Sequence, residues 1–544
     1  MIETEVHQRL RAYLKEQGQA QWPHHLTMAR LVARALRVGR SALIQTDSLA
    51  AYQGSYRLSY LIPALLWPEP AVLALPDELI DQVIHQDVPN LQQGLPGGKP
   101  VRLGDRWPDE TFKGLLITSA QGWLQARLCE PEKSAQNLAA LQGNRHFPAG
   151  IPTLIDGAGE LERWAQAQLS ETIRAQDWED LMLAYPSQRE FIRDTRVRVT
   201  HAIFQHPANP YGCHLIADPE QTLLRELYDW LLTYGDISQL PGRWRRFWQQ
   251  FSQAERLAWS SLDRDLGSVM LHSGPTEISS SLAPMWAQQP VVLIGAALDE
   301  DTRAERYRDR LGLGEMTCLR FGPDRRHDLI QLYLPDHLPM PNTSHFKAAA
   351  LQEIRMLLGA RGLPSDPTVI VIGDMPLKAQ FAAVLAAEFG SRVRLEAPVS
   401  DQGILITGWE YWRQHQADFT TPSVAPGLLI ITTLPIPSLE NPLVAGRVAA
   451  YKRQRQDWFK AYLLPKALSE LQHAVAPVRS RANPLQSRKS RNSHQGNHQG
   501  IVALLDNRVN YRSYGANVLA ALSPIARSTY LNEDWFQLNA AEAP

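Results

Sequence analysis

The chain has 544 residues, 44% hydrophobic and 20% charged, with a formal net charge of -1. That length allows two to four domains, and the composition is ordinary for globular protein. No apolar run reaches the roughly 18 residues needed to span a membrane as a helix. A near-neutral chain that binds nucleic acid must do so through a local basic patch rather than a global positive charge.

In chain order, MIETEVHQRLRAYLKEQG reads as an amphipathic helix through Val6, Leu10, Tyr13 and Leu14. It has charges of both signs and no apolar core, so it is not a signal peptide, and a cytoplasmic location is expected. Short continuous apolar runs follow at Ser41 to Ile44, Ala71 to Leu75 and Leu115 to Thr118, with a fourth ending at Asp156. Helical patterns at Leu26–Leu36, Leu58–Leu66 and Ser119–Leu128 separate them. Continuous apolar strands alternating with helices predict an α/β fold with a parallel sheet.

From about residue 160 to 265 the expectation is helical, with Trp, Arg, Glu and Gln at helical spacing. Strand-like runs return at Val291–Leu298 and then at 368–373, 403–407, 427–432 and 500–505. The predicted division is a first domain at 1–160, a helical insertion at 161–265, the rest of the first domain at 266–300, and a second domain at 301–544. Residues 480–500 contain no acidic or aromatic side chain, so a disordered basic loop is predicted there.

Several stretches carry chemistry. The strand ending at Asp156 runs straight into a helical pattern, so Asp156 is either a metal-facing carboxylate or a helix N-cap. QTDSLAAYQGSYRL, residues 45–58, has one glycine, Gly54, and no lysine. GRWRRFWQQFSQAERLAW, residues 242–259, interleaves Arg243, Arg245 and Arg246 with Trp244, Phe247 and Trp248. That pattern fits either a core helix with a basic outer face or a surface where bases stack on aromatics and arginines meet phosphates. The three cysteines, Cys129, Cys213 and Cys318, form no CxxC pair, so no disulfide framework, zinc site or iron–sulfur cluster is expected. Only ten of the 55 basic residues are lysine.

The ordered set of segments resembles the DinG/XPD-type superfamily 2 DNA helicases, as a divergent member. ITTLPIPSLENPLVAGRV (431–448) is similar to that family's leucine-proline stretch, and the helix carrying Gln472 and Arg479 to its arginine helix. HLTMARLVARAL and YLIPALL resemble the helices flanking the phosphate loop. TLIDGAGELERWA, VVLIGAAL and GWEYWRQ stand where the family has its DEAH, SATL and Phe-Trp-Glu-Gly motifs.

The resemblance implies two RecA-like domains that clamp ATP and Mg2+ between them and draw single-stranded DNA across their top, with an arch-like insertion in the first. No cysteine lies in residues 76–114, so the family's iron–sulfur module looks absent.

A phosphate loop needs glycines for close backbone approach, a lysine for the terminal phosphates, and a Ser or Thr on magnesium. The alignment puts Gly54, Ser55, Tyr56 and Arg57 in the nucleotide loop, with Tyr56 in the lysine position and Arg57 in the Ser/Thr position. Arg57 has the reach to touch phosphate but cannot ligate magnesium. Asp156 takes the magnesium and catalytic carboxylate position. Gly157 stands for the water-orienting glutamate and Gly159 for the coupling histidine. Arg479 keeps the second catalytic arginine, while Ala476 replaces the first.

The expected function is a DinG-like, ATP-dependent helicase-family protein acting on single-stranded nucleic acid, with weak or absent hydrolysis and with Arg243, Trp244, Arg245 and Arg246 as nucleic-acid contacts. The alternative is a non-catalytic nucleic-acid-binding or scaffold protein on the same fold. An unrelated two-domain α/β enzyme, such as a transferase, is the third reading.

Overall fold

The computed structural model describes residues 2–17, 22–95, 98–128, 147–323, 328–361, 366–398, 402–421, 423–480 and 500–531. Cys129 and residues 481–499 of the predicted basic loop lie outside them.

The apolar runs become strands because a buried Val, Leu or Ile contributes roughly 1.5–3 kcal/mol each when helices cover both faces of the sheet. Ala42–Thr46 and Ala71–Leu75 are buried at every position. The first sheet has seven parallel strands, in the spatial order Thr317–Arg320, Ala42–Thr46, Val291–Ala296, Thr153–Asp156, Ala71–Leu75, Leu115–Ser119 and Val101–Leu103.

The second sheet also has seven parallel strands, in the order Val393–Leu395, Ile404–Thr407, Thr368–Val371, Leu428–Ile431, Ile501–Leu504, Ile330–Tyr333 and Ile525–Ser528. Each sheet is sandwiched between two apolar clusters, one per face.

Helix His25–Val38 shows the local logic: Met28, Ala29, Val32, Ala33 and Leu36 make one buried stripe, and Gly39 ends the helix in the left-handed region at φ 66°.

Two expectations about the division of the chain are corrected. The first domain does not end near residue 300, because Thr317–Arg320 pairs with Ala42–Gln45 in the first sheet. The insertion is not purely helical. It contains a four-stranded antiparallel sheet in the order Glu171–Ile173, Ser268–Pro275, Arg256–Asp263 and Cys213–Leu215. Helices packed on one face of this sheet give the insertion its own core, including Trp178, Leu224, Trp244, Phe247 and Trp248. Among the described residues no helix is long and apolar enough to cross a membrane.

Candidate nucleotide cleft

In open parallel sheets, ligands bind outside the carboxyl ends of the strands. At that edge of the first sheet, the segment after Ala42–Thr46 folds as a short helix, Ser48–Gln53. Asp47 caps it by accepting from the Ala50 N–H at 2.7 Å, and also accepts from Trp22 Nε1 at 3.3 Å. Gly54 follows in the left-handed region at φ 64°. The Arg57 guanidinium lies against Gly54 so closely that a Cβ there would meet it at 2.3 Å. Arg57 is itself 7% exposed and pairs with Asp87 at 3.3 Å. It is directed at a protein carboxylate rather than held free for a ligand.

Tyr56 lies in the turn that leads into the helix Leu58–Leu66, and Tyr60 in that helix's first turn. Both donate to Asp156: Tyr56 to Oδ1 at 2.7 Å and Tyr60 to Oδ2 at 2.8 Å. The Gly157 N–H adds a third donor to Oδ1 at 2.8 Å. Asp156 is 1% exposed. Burial pushes its carboxyl above the usual range, against the lowering effect of these hydrogen bonds and of Arg57. Burial, followed by the Asp156 charge, pushes both phenols well up, so they remain protonated donors.

Gly157 has φ 77°, and a Cβ there would approach Pro76 Cγ at 2.8 Å and Trp164 at 3.0 Å. The position aligned with a water-orienting glutamate is therefore sterically reserved for glycine.

On the facing domain, the helix Leu464–Arg479 brings Gln472, Ala476 and Arg479 to the cleft. Arg479 is 5% exposed and donates to the backbone carbonyls of Asp328, Leu522 and Pro524. Its guanidinium is turned to the backbone of its own domain. Between the domains, Asp47, Ser48, Gln472 and Arg479 help line a cavity of about 50 Å3. Among the described residues no group of His, Cys, Asp and Glu is placed to hold a metal ion. The described cleft residues thus do not fit ATP and magnesium: residues 45–58 contain no lysine, and both oxygens of Asp156 are engaged by protein donors.

The insertion residues are placed differently from the expected nucleic-acid surface. Trp244 is 0% exposed, packs edge-on to Trp178 at 4.8 Å, and donates from Nε1 to the Asp177 carbonyl at 2.8 Å. It is a core residue, and no base can stack on it. Arg243 and Arg246 point outward and pair with Asp177 at 3.6 Å and Glu171 at 2.6 Å. Arg245 donates to the Leu240 carbonyl at 3.2 Å.

Sequence reasoning missed Tyr60 as the second donor to Asp156, since Tyr56 lies in a turn ahead of the helix and the two share no helical periodicity. It also missed Asp87, for which no local pattern existed.

No family model and no curated protein matches the chain. Solved structures do. An XPD helicase structure aligns over 94% of this chain and 100% of its own at TM-score 0.56 and 10% identity. Xpd4 of S. tokodaii aligns over 93% and 100% at TM-score 0.53 and 10% identity, and an apo XPD structure over 92% and 100% at 0.52 and 11%. The chain has the fold of the XPD helicases. Its two seven-stranded sheets are two RecA-like domains, and the insertion leaves the first sheet after Thr153–Asp156 and returns to it at Val291–Ala296. The identity is low enough that the likeness shows the fold alone, and the chemistry must come from the residues above.

Proposed function

We propose that this protein is a helicase-fold, DinG-like protein that acts on single-stranded nucleic acid without turning over ATP. The observation that carries the reading is the Asp156 carboxylate, whose two oxygens are taken by the Tyr56 and Tyr60 hydroxyls. In an ATP-driven motor that carboxylate must face a metal ion, and a lysine must meet the terminal phosphates. Here neutral phenols occupy its coordination positions, and Tyr56 is itself the residue aligned with the lysine. Arg479, expected as a catalytic finger, is committed to backbone carbonyls. An arginine finger is worth roughly 10³–10⁵ in rate.

Nucleic acid would be held by phosphate contacts from Arg243, Arg245 and Arg246, without help from the buried Trp244. The side chains of Arg243 and Arg246 are 44% and 55% exposed despite their acidic partners, which leaves guanidinium edges for phosphate.

The decisive experiment is steady-state phosphate release with and without single-stranded DNA, beside binding of labelled single strands across a salt series. Background release together with salt-sensitive binding is expected. Losing three phosphate contacts in an Arg243→Ala, Arg245→Ala, Arg246→Ala variant should flatten the salt slope by about 2. DNA-stimulated release abolished by Arg479→Ala would instead establish a working motor.

A further inference from the structure

The helix Ser48–Gln53 occupies the segment that would wrap a nucleotide's phosphates, and its far end reaches the second domain. Gln53 Nε2 donates to the Thr420 carbonyl at 3.0 Å. The Tyr52 hydroxyl accepts from Gln416 Nε2. The Tyr52 ring meets the His473 ring edge-on, with centroids 5.7 Å apart at 69°. His473 belongs to Leu464–Arg479, the helix expected to present arginines to a nucleotide.

Further ties flank the cleft. Asn517 Nδ2 donates to Glu300 Oε2 at 2.6 Å, and Glu162 faces Arg447 at 3.6 Å and Lys466 at 4.0 Å. Gly446 of the second domain lies so close to the insertion that a Cβ there would meet Leu257 at 2.3 Å.

A nucleotide that closes two domains does so by contacting both at once and thereby favouring the closed arrangement. Tyr52 and Gln53 make that kind of two-sided contact with side chains of the chain itself.

We infer that the helix Ser48–Gln53 is a built-in substitute for the nucleotide, bolting the two RecA-like domains together through Tyr52 and Gln53 so that closure is independent of ATP. This goes beyond the absence of hydrolysis, since an inactive motor could still open and close on binding nucleotide. It also stands apart from nucleic-acid binding, whose failure would leave it untouched.

Backbone amide exchange on the full chain tests it. In the wild type, exchange in residues 48–54 and 464–480 is expected to be the same with and without millimolar ATP and magnesium. In a Tyr52→Ala, Gln416→Ala double variant, both segments should exchange about tenfold faster, from the loss of a hydrogen bond and an aromatic contact at a shared interface. Strands Ala42–Thr46 and Leu428–Ile431 should stay protected. Tyr52→Phe keeps the ring and loses only the Gln416 hydrogen bond, so about a threefold rise is expected. Slower exchange on both sides of the wild-type cleft when ATP is added would overturn the inference. So would a double variant with unchanged exchange. If the double variant loses protection in the strands as well, Tyr52→Phe decides, and unchanged exchange in that variant sinks the idea.

Discussion

Each RecA-like domain buries a carboxylate at the carboxyl edge of its sheet, and the two are answered differently. Asp506, 0% exposed and just past strand Ile501–Leu504, is met by a cation: Arg508 donates to it at 2.5 and 2.8 Å, and the Leu434 N–H adds 2.8 Å. Asp156, 1% exposed at the end of its own strand, is met by two phenols and one amide. Burying a charge with a hydrogen-bonded cation is a structural solution that depends on both partners. Burying one with neutral donors leaves its charge less well compensated, and burial accordingly raises the carboxyl of Asp156. In the second domain the carboxylate holds a loop. In the first, the carboxylate and the two phenols that meet it have become part of the core.

Acidification should have the largest effect and bears on the comparison directly. His25, His272 and His473 are each pushed down to about 4, chiefly by burial, from 6.5. Their unfolded forms take up protons first, so the stability they represent is intact above pH 6.5 and is lost as pH falls from 6.5 towards 4. Asp156 works in the opposite sense, because its raised folded value makes acid relieve its buried charge. His214, also lowered by burial, adds to the loss, while Asp47 and Glu470, raised by burial, act with Asp156. The histidines titrate first on acidification from pH 6.5, each at up to about 1.4 kcal/mol per pH unit, so a net loss of stability is expected. Urea unfolding at pH 7, 6, 5 and 4.5 measures it, and a flat profile would mean that the histidines are hydrated.

Next in size, Arg508→Ala should cost about 3 kcal/mol, since it strands the fully buried Asp506. The paired change Tyr56→Phe, Tyr60→Phe should cost about 2–3 kcal/mol by removing two donors from Asp156, less than additively because both act on one group. Equilibrium denaturation gives both values. If the tyrosine pair proved costless, Asp156 would be free to serve something else.

The smallest effect is expected for Asp156→Asn, within about 1 kcal/mol at pH 7, because an amide still accepts from one phenol and carries no charge to bury. Its relative stability should improve as pH rises, the sign that follows from the raised carboxyl. Asp506→Asn should be clearly worse, since Arg508 would then lose its counter-charge.

Much of the fold was legible in the sequence. Buried parallel strands need continuous apolar runs, and ALIQT, AVLAL, TLID, VVLIGA and LLII are such runs. The antiparallel sheet of the insertion was not. RLAWSSLD and SVMLHSGP alternate across Gly267, which turns at φ 61°. The aromatic helix ahead of them ends at Phe251, so a helical reading carried through to Trp259 hid the first of these strands. The strands Glu171–Ile173 and Cys213–Leu215 have three residues each, too few for a period to register.

Sequence alone determined what the cleft lacks: no lysine between Ile44 and Leu58, glycine at 157, and alanine at 476. Those are identities, and no folding can restore a missing ammonium group. Tertiary structure decided what fills the space. Tyr56 and Tyr60 reach Asp156 across about a hundred residues of chain, Arg57 turns to Asp87, and Tyr52 meets His473 from the other domain. Trp244 was likewise assigned to the core by Trp178 and the Asp177 carbonyl. Local periodicity reports which face of a helix is apolar, whereas the partner of a buried hydroxyl or carboxylate is set by long-range pairing, because only the folded chain brings the two together out of water.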